Sequence, residues 1–329
     1  MRIAIVQQPP CFLNLQATTD RAIGLLEQAV DSSAGLIVFP ETWLPGYPVW
    51  IDDAPGACLW DHPPAKALFR HLRHNAPTID GPEIRRLSHA AQRTGSHVVI
   101  GIHEKSGGSL YNSMVFLAPD GSLAVRRKLV PTYTERLLWG RGDGSGLFSI
   151  DTDFGPLGGL ICWEHWMPLA RAAMHATGET VHVAQWPWVK DPHQLASRHY
   201  AFEGRCFVLA SGCVMNQQDM LEGFDSSGGP VEARELLEQT GTEGTNILRG
   251  GSAVIGPDGN YLVEPVFDNP DTVFADLDSR LIEESRLTLD VDGHYSRPDV
   301  FTLSVNTARQ TNVEFDQAEP GDQTRSLRS

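Results

Sequence analysis

Leu157-Gly158-Gly159-Leu160-Ile161-Cys162-Trp163-Glu164 is the stretch that decides the fold. Its first five residues are apolar or glycine, as in a buried strand, and a helix-like run from Met167 to Ala176 follows. A strand that turns sharply into a helix is typical of α/β proteins, and enzymes display a nucleophile at such a turn. The stretch lacks the Gly-x-Ser-x-Gly string of α/β-hydrolases, so the nucleophile turn of those enzymes is only a mechanical analogy to this one. Cys162 is therefore the candidate nucleophile.

Two further predicted strands end in ionisable side chains. Leu36-Ile37-Val38-Phe39-Pro40-Glu41 is an apolar strand that ends in a carboxylate. Val125-Arg126-Arg127-Lys128-Leu129-Val130-Pro131 is a short segment whose Lys128 lies just before a loop bounded by proline. Because the strand ends of an open α/β sheet converge on one crevice, the Glu, Lys and Cys side chains are expected to meet there.

Predicted helices and strands alternate along the chain and are mixed with hairpins. Ile3 to Val6 and Leu36 to Phe39 are predicted strands, and Leu15 to Val30 between them is a predicted amphipathic helix. The strand Asn112 to Leu117 is expected to turn back into Leu123 to Arg127. This mixture predicts an α/β protein with a mixed sheet covered by helices. With 329 residues and 41% apolar content, the chain can bury one large core.

Three short strings carry a resemblance to a known family. Phe39-Pro40-Glu41, Arg127-Lys128-Leu129 and Cys162-Trp163-Glu164 resemble the catalytic signatures of the nitrilase (carbon–nitrogen hydrolase) superfamily, and they occur in that family's order. The resemblance implies an α-β-β-α sandwich with mixed β-sheets. It covers a nitrilase domain of residues 1–305, and the polar residues 306–329 form a predicted C-terminal tail.

The resemblance also implies roles for the site residues. Cys162 is the expected nucleophile, Glu41 the base that takes its proton, and Lys128 the cation that stabilises the developing negative charge. Glu135, seven residues after Lys128, is expected to orient that lysine. The backbone N–H of Trp163 is the expected second donor to the substrate. No cofactor is needed for this chemistry.

The branch of the superfamily is indicated by longer segments. The loop Lys128–Gly144 resembles true nitrilases rather than amidases or carbamoylases, and Cys162–Leu169, Glu203–Val208 and His294–Phe301 point the same way. Val183–Asp191 departs from the Ala-Pro-Thr type of segment found in aromatic nitrilases. The expected substrate is therefore a small organic nitrile whose class, whether aliphatic, aromatic, arylacetonitrile, hydroxynitrile or cyanide, stays open.

Four aromatic residues near these motifs could line a substrate pocket or fill the core, because aromatic side chains serve both purposes. They are Trp43, Tyr47, Trp186 and Trp188. Tyr47 and Trp188 are the preferred pocket residues.

His165 invites a different interpretation, because it lies three residues after Cys162 and a Cys–His pair is typical of cysteine peptidases. We disfavour it, since the base of such a pair usually comes from a distant part of the sequence. The histidines form no His-Glu-x-x-His string, so no metal site is predicted.

Composition limits the partners and the compartment. The chain has 26 Lys and Arg against 41 Asp and Glu, a formal charge of −15, which disfavours binding to nucleic acid or anionic lipid. Its five cysteines are scattered without a disulfide pattern, which favours a reducing compartment. Met1–Pro10 does not resemble a signal peptide, and no run approaches membrane-spanning length. A cytoplasmic protein is predicted.

Other functions remain open at this point. The same Glu-Lys-Cys machinery could serve an amidase, a carbamoylase or a cyanide dihydratase, and a noncatalytic scaffold on this fold is the alternative outside the enzyme class. The resemblance further implies a homodimer or larger homo-oligomer, which in some similar proteins grows into a helical spiral.

Overall fold

Two six-stranded sheets form the centre of the protein, whose computed structural model describes residues 1–311 and 313. Within these residues the strands are β1 (Arg2–Val6), β2 (Leu36–Val38), β3 (His97–Ser106), β4 (Ser109–Leu117), β5 (Leu123–Arg127), β6 (Leu157–Ile161), β7 (Val181–Gln185), β8 (Phe207–Ser211), β9 (Val214–Asn216), β10 (Asn246–Ile255), β11 (Tyr261–Phe267) and β12 (Thr272–Asp276).

Helices connect these strands and cover the sheets. They are α1 (Leu15–Asp31), α2 (Trp50–Asp53), α3 (Pro63–His74), α4 (Pro82–Thr94), α5 (Pro168–His175), α6 (Asp191–Gly204), α7 (Gln217–Ser226), α8 (Val231–Leu237) and α9 (Arg280–Arg286). Short 3₁₀ turns occupy Tyr133–Leu137, Gly144–Gly146 and Cys162–Trp166. Among the described residues, none of these helices combines the length and the apolar run that a bilayer crossing requires.

Both sheets mix parallel and antiparallel strands, as the sequence predicts. The first has the order β12-β1-β2-β3-β4-β5, with β1, β2 and β3 parallel and the others antiparallel to their neighbours. The second has the order β11-β10-β8-β7-β6, with β6, β7 and β8 parallel. The short strand β9 pairs with β10 off this path.

The alternation of side chains in β1 separates two core layers. Ile3 and Ile5 belong to the apolar cluster that also contains residues of the second sheet. Ala4 and Val6 belong to the cluster formed with α1, α3 and α4. Since successive strand residues point to opposite faces, the first sheet packs on the second sheet with one face and on helices with the other. Helix α6 packs on the outer side of β8. The α-β-β-α sandwich is confirmed.

The three predicted strand ends lie in two sheets, so their assignment to one open sheet is wrong. β2 and β5 belong to the first sheet, and β6 belongs to the second. The sheets are joined at this end, because the Gln185 side-chain amide donates to the Phe39 carbonyl at 2.7 Å and the Glu41 backbone N–H donates to the Trp186 carbonyl at 3.4 Å. The strand ends therefore meet across the interface between the layers.

The sequence patterns do not predict α7, α8 or β9. The two helices have ten and seven residues, and a Ser-Gly-Gly-Pro segment separates them. Asn216 caps α7 through its side chain, which accepts from the Asp219 N–H at 2.8 Å. Helix α8 packs against α3.

The predicted tail of residues 306–329 falls mostly outside the described residues, which exclude 312 and 314–329. The backbone N–H of Gln310 donates to the Asp143 carboxylate at 2.8 Å. The boundary at residue 305 stays a prediction.

Gly101 in β3 lies against the loop that carries Glu41. A Cβ at this position would collide with the backbone carbonyl of Pro40 and the backbone nitrogen of Thr42. We expect Gly101→Ala to lower the free energy of unfolding by about 1–3 kcal/mol, because a packed backbone yields poorly to added volume. Urea unfolding followed by circular dichroism measures this change.

The matched control is Gly24→Ala in the middle of α1, where an added Cβ meets no atom within 4 Å. That substitution should stabilise the protein by about 0.5–1 kcal/mol, because alanine is the better helix former. Equal unfolding midpoints for wild type and Gly101→Ala would contradict the close approach at Gly101.

Candidate active site

Three loops at the joined sheet ends bring the predicted catalytic side chains together. Glu41 follows β2, Lys128 follows β5, and Cys162 opens the 3₁₀ turn after β6. All three are buried, and the Cys162 residue keeps 4% of its surface exposed. The strands β2 and β6 before Glu41 and Cys162 are fully buried, so polar groups at this depth need protein partners in place of water.

Lys128 lies between two carboxylates. Its Nζ donates to Glu41 Oε1 at 2.8 Å and to Glu135 Oε2 at 2.7 Å. The Asn112 side-chain amide also donates to Glu41 Oε1, at 2.7 Å. Glu135 thus makes the contact with Lys128 that the sequence predicts for it, while Asn112 is a further partner that no sequence motif indicates.

Glu135 is held from three sides. Its Oε2 also accepts from the Thr132 backbone N–H at 2.6 Å, which starts the 3₁₀ turn Tyr133–Leu137. Its Oε1 accepts from the Tyr47 hydroxyl at 2.9 Å. Because both carboxylate oxygens are bound, the position of Glu135 relative to Lys128 is fixed.

The burial of two carboxylates with one ammonium shifts the proton affinities of the site. Burial raises the pKa of Glu41 to about 7; Lys128 lowers it and Glu135 raises it further. Burial opposes the charge of Lys128, but the carboxylates of Glu41 and Glu135 raise the pKa of Lys128 well above its ordinary value. The ammonium therefore stays charged, and Glu41 changes protonation near neutral pH.

Cys162 stays a thiol in this environment. Burial and then the Glu41 carboxylate raise the pKa of the Cys162 thiol well above its ordinary value, although Lys128 and the backbone N–H of Trp163 act to lower it. Among the described residues, Glu41 Oε2 is buried without a hydrogen-bond partner. A carboxylate oxygen with a free lone pair near a protonated thiol can accept the thiol proton.

A buried ion pair that the sequence motifs leave without a role holds the turn at Cys162. Arg126 Nη1 and Nη2 donate to the Glu164 carboxylate at 2.9 and 3.0 Å. Glu164 also accepts from the backbone N–H groups of Ile161 at 2.6 Å and Leu129 at 2.7 Å. The end of β6 is thereby tied to the segment after β5. The Arg126 side chain is fully buried, so this ion pair is shielded from water.

A cavity of about 780 Å³ opens next to Cys162. The predicted pocket residues Tyr47 and Trp188 line it, together with Trp163 and Trp166. The two other aromatic candidates lie in the core. Trp43 packs against Phe39 with ring centroids 4.8 Å apart, and Trp186 is stacked between His165 and His193.

Comparison with known proteins fits this geometry. The family model for carbon-nitrogen hydrolases matches residues 2–287. The chain belongs to the carbon-nitrogen hydrolase family. A nitrilase of Pseudomonas syringae is 39% identical over 93% of this chain and 90% of its own length. An aliphatic nitrilase of Rhodococcus rhodochrous is 38% identical over 96% of this chain and 82% of its own length.

Solved structures agree on the fold of this carbon-nitrogen hydrolase. A carbon-nitrogen hydrolase of Helicobacter pylori superposes with a TM-score of 0.64 at 22% identity, covering 88% of this chain and 92% of that one. At that identity the likeness shows the fold alone.

His165 of this carbon-nitrogen hydrolase does not form a pair with the Cys162 thiol. Its Nδ1 lies 2.7 Å from the Cys162 carbonyl oxygen, and its Nε2 lies 3.0 Å from His182 Nε2. Both ring nitrogens are therefore occupied away from the sulfur, which argues against a peptidase-like Cys–His pair. In residues 1–311 and 313, no group of three or more His, Cys, Asp or Glu side chains is arranged to hold a metal ion.

The Glu41 carboxylate should control the reactivity of the thiol. We expect the rate of Cys162 alkylation by iodoacetamide to rise as the pH increases through about 7, because only the ionised carboxylate above its pKa accepts the thiol proton. Glu41→Gln should remove this step in the pH profile and slow alkylation at pH 7.5 by about 100-fold. Mass spectrometry of the Cys162 peptide separates this thiol from the other four cysteines.

Glu27→Gln on the exposed side of α1 is the control, and its pH profile should match wild type. If Glu41→Gln kept the wild-type profile, another group would accept the thiol proton.

Proposed function

We propose that this carbon-nitrogen hydrolase converts an organic nitrile into the carboxylic acid and ammonia through covalent intermediates on Cys162. The observation that carries the proposal is the free, buried Oε2 of Glu41, together with the Lys128 ammonium that is bound to the other oxygen of the same carboxylate. The two relatives named nitrilase and aliphatic nitrilase, each matched over most of the chain, support the nitrile as substrate.

A nitrile carbon is a weak electrophile, so the first step needs a thiolate. Glu41 takes the thiol proton as the sulfur attacks, a C–S bond forms, and one nitrile π pair moves to the nitrogen. The Lys128 ammonium and the Trp163 backbone N–H stabilise this charge. The nitrogen takes up the proton that left the thiol, which gives a neutral thioimidate and restores the Glu41 carboxylate.

Two water molecules complete the reaction. The first adds to the thioimidate carbon and gives a proton to Glu41, which passes it to the nitrogen. The new hydroxyl group then gives its proton to the amine as the C–N bond breaks, so ammonia leaves and a thioester with its carbonyl restored remains on Cys162. The second water, activated in the same way, breaks the C–S bond and releases the carboxylic acid, and Cys162 regains its proton.

The cavity next to Cys162 suits the substituent of the nitrile. Its aromatic walls, Trp163, Trp166 and Trp188, favour an apolar group, while Cys162 and Glu135 line the same cavity and mark its reacting end. A cytoplasmic location remains a prediction from the cysteine pattern.

Ammonia release tests the function directly. Wild type should release ammonia from at least one member of a panel of aliphatic, aromatic and arylacetonitriles, and Cys162→Ala should release none, because the covalent step requires the sulfur. Intact-protein mass spectrometry during turnover should show an adduct on wild type and none on Cys162→Ala.

Cys58→Ser at an exposed cysteine is the matched control and should retain full activity. Turnover of the corresponding amides with no turnover of any nitrile would replace the nitrilase proposal by an amidase, and activity on cyanide alone would indicate a cyanide dihydratase. Ammonia release by Cys162→Ala would exclude Cys162 as the nucleophile.

We also propose that two copies associate through α5 and α6, which lie next to the nucleophile turn. Leu195 and Phe202, two turns apart on α6, and Leu169 on α5 are exposed apolar side chains. Light scattering at micromolar concentration should give at least twice the chain mass of 36.1 kDa, and Leu195→Glu should lower it. A wild-type monomer would contradict this assembly.

A further inference from the structure

A chain of buried polar side chains extends from the back of Cys162 into the second layer. His165 Nδ1 lies 2.7 Å from the Cys162 carbonyl oxygen, and His165 Nε2 lies 3.0 Å from His182 Nε2. His182 Nδ1 lies 2.9 Å from Glu179 Oε1, and the Tyr200 hydroxyl donates to Glu179 Oε2 at 2.6 Å. All of these side chains are buried. The catalytic steps above use none of them beyond Cys162.

The Glu179 carboxylate packs against the backbone of β6 at Gly158. A Cβ at Gly158 would collide with the Glu179 carboxylate, and Gly158 is the register partner of His182 in β7. A side chain at position 158 would displace the carboxylate from His182. Gly158, in the stretch Leu157–Glu164, thus leaves the space that the Glu179 carboxylate occupies.

The direction of each hydrogen bond follows from counting donors. A carbonyl oxygen only accepts, so His165 donates from Nδ1 to Cys162. Neutral His165 then accepts at Nε2, so His182 donates from its own Nε2. Neutral His182 accepts at Nδ1, and the remaining donor is a protonated Glu179.

The surroundings favour these protonation states. Burial lowers the pKa of both His165 and His182 well below the ordinary value, so both are neutral. Burial raises the pKa of Glu179 to about 8, although the Tyr200 hydroxyl lowers it. Further ionisable groups face this pair from β5, the nucleophile turn, α5 and the start of β8; they are Arg126, Glu164, His175 and Cys206.

The bond from His165 fixes a strained peptide. Cys162 has φ of +53°, a left-handed conformation that is unfavourable for a residue with a Cβ. In a trans peptide the carbonyl and the following N–H point in opposite directions. Holding the Cys162 carbonyl toward His165 therefore points the Trp163 N–H to the opposite side. There, the N–H acts to lower the pKa of the Cys162 thiol.

We propose that Glu179 and His182 are positioning residues for the Cys162 nucleophile. Protonated Glu179 selects the His182 tautomer, and His182 selects the His165 tautomer that holds the Cys162 carbonyl. The Trp163 N–H is thereby kept in place for the nitrile nitrogen. This rests on the proposed nitrile hydrolysis for its effect on rate, whereas the order of donors is a property of the folded protein.

The tautomers can be measured without substrate. In wild-type protein with ¹⁵N-labelled histidine, spectra at pH 7 should show His165 neutral and protonated at Nδ1, and His182 neutral and protonated at Nε2. His165→Gln and His182→Phe assign the two sets of signals. An imidazolium at His182, or a proton on His165 Nε2, would overturn the proposed order of donors.

Kinetics tests the effect on catalysis. His182→Phe keeps a ring to stack on Tyr200, whose centroid lies 3.7 Å away, but removes both hydrogen bonds. We expect His182→Phe and Glu179→Met to lower kcat by about 10–100-fold with KM within about threefold of wild type, as for a misplaced oxyanion donor. Glu179→Gln keeps a donor toward His182 and an acceptor toward Tyr200, so its kcat should stay within about threefold of wild type.

A buried histidine elsewhere controls for general destabilisation. His71→Phe on α3 removes a hydrogen bond to Ser227 and should leave kcat unchanged. Wild-type kcat in folded His182→Phe, or an equal loss in Glu179→Gln and Glu179→Met, would overturn the positioning role. If wild type turned over no nitrile, the proposed function would fail, while the histidine spectra would still decide the order of donors.

Discussion

One buried ammonium shared by two buried carboxylates is the constraint on which this site depends. Lys128 lies within hydrogen-bond distance of both Glu41 and Glu135, so the cluster carries one negative charge more than it can neutralise. In a site with little water, that excess is relieved by protonation rather than by solvation. Glu135 has both oxygens occupied, so Glu41 is the carboxylate whose proton affinity rises. In the proposed mechanism Glu135 therefore fixes the position of the Lys128 charge, and Glu41 transfers the proton.

The cluster exists only when the two sheets are packed together. Glu41 and Lys128 come from the first sheet, and Cys162 comes from the second. The Arg126–Glu164 pair and the hydrogen bond from Gln185 to the Phe39 carbonyl connect the sheets at the same end. A buried bidentate pair has a strict geometry and is destabilising when one partner is absent, so it suits the task of fixing the register of two layers.

The sequence predicts the parts of the site that depend on local pattern. Short predicted strands that end in an ionisable residue place Glu41, Lys128 and Cys162 at strand ends, whichever sheet each strand joins. It cannot predict that β6 belongs to a second sheet, because sheet membership depends on pairing between distant segments. For the same reason the sequence gives Asn112 no role. The Asn112 side-chain amide reaches Glu41 because it lies on β4, the antiparallel neighbour of β5. Short elements such as α8 lack the length for a periodic signal.

The protonation of the thiol separates this site from one built on a Cys–His pair. There, an imidazolium beside the sulfur keeps a thiolate ready before the substrate arrives. Here His165 is turned toward the Cys162 carbonyl, and the neighbour of the thiol is a carboxylate that disfavours a second negative charge. In the proposed mechanism the thiolate therefore forms only as its proton moves to Glu41 and its charge moves on to the substrate nitrogen. Because oxidation of cysteine follows thiolate character, keeping Cys162 as a thiol also protects it from oxidation before the substrate binds.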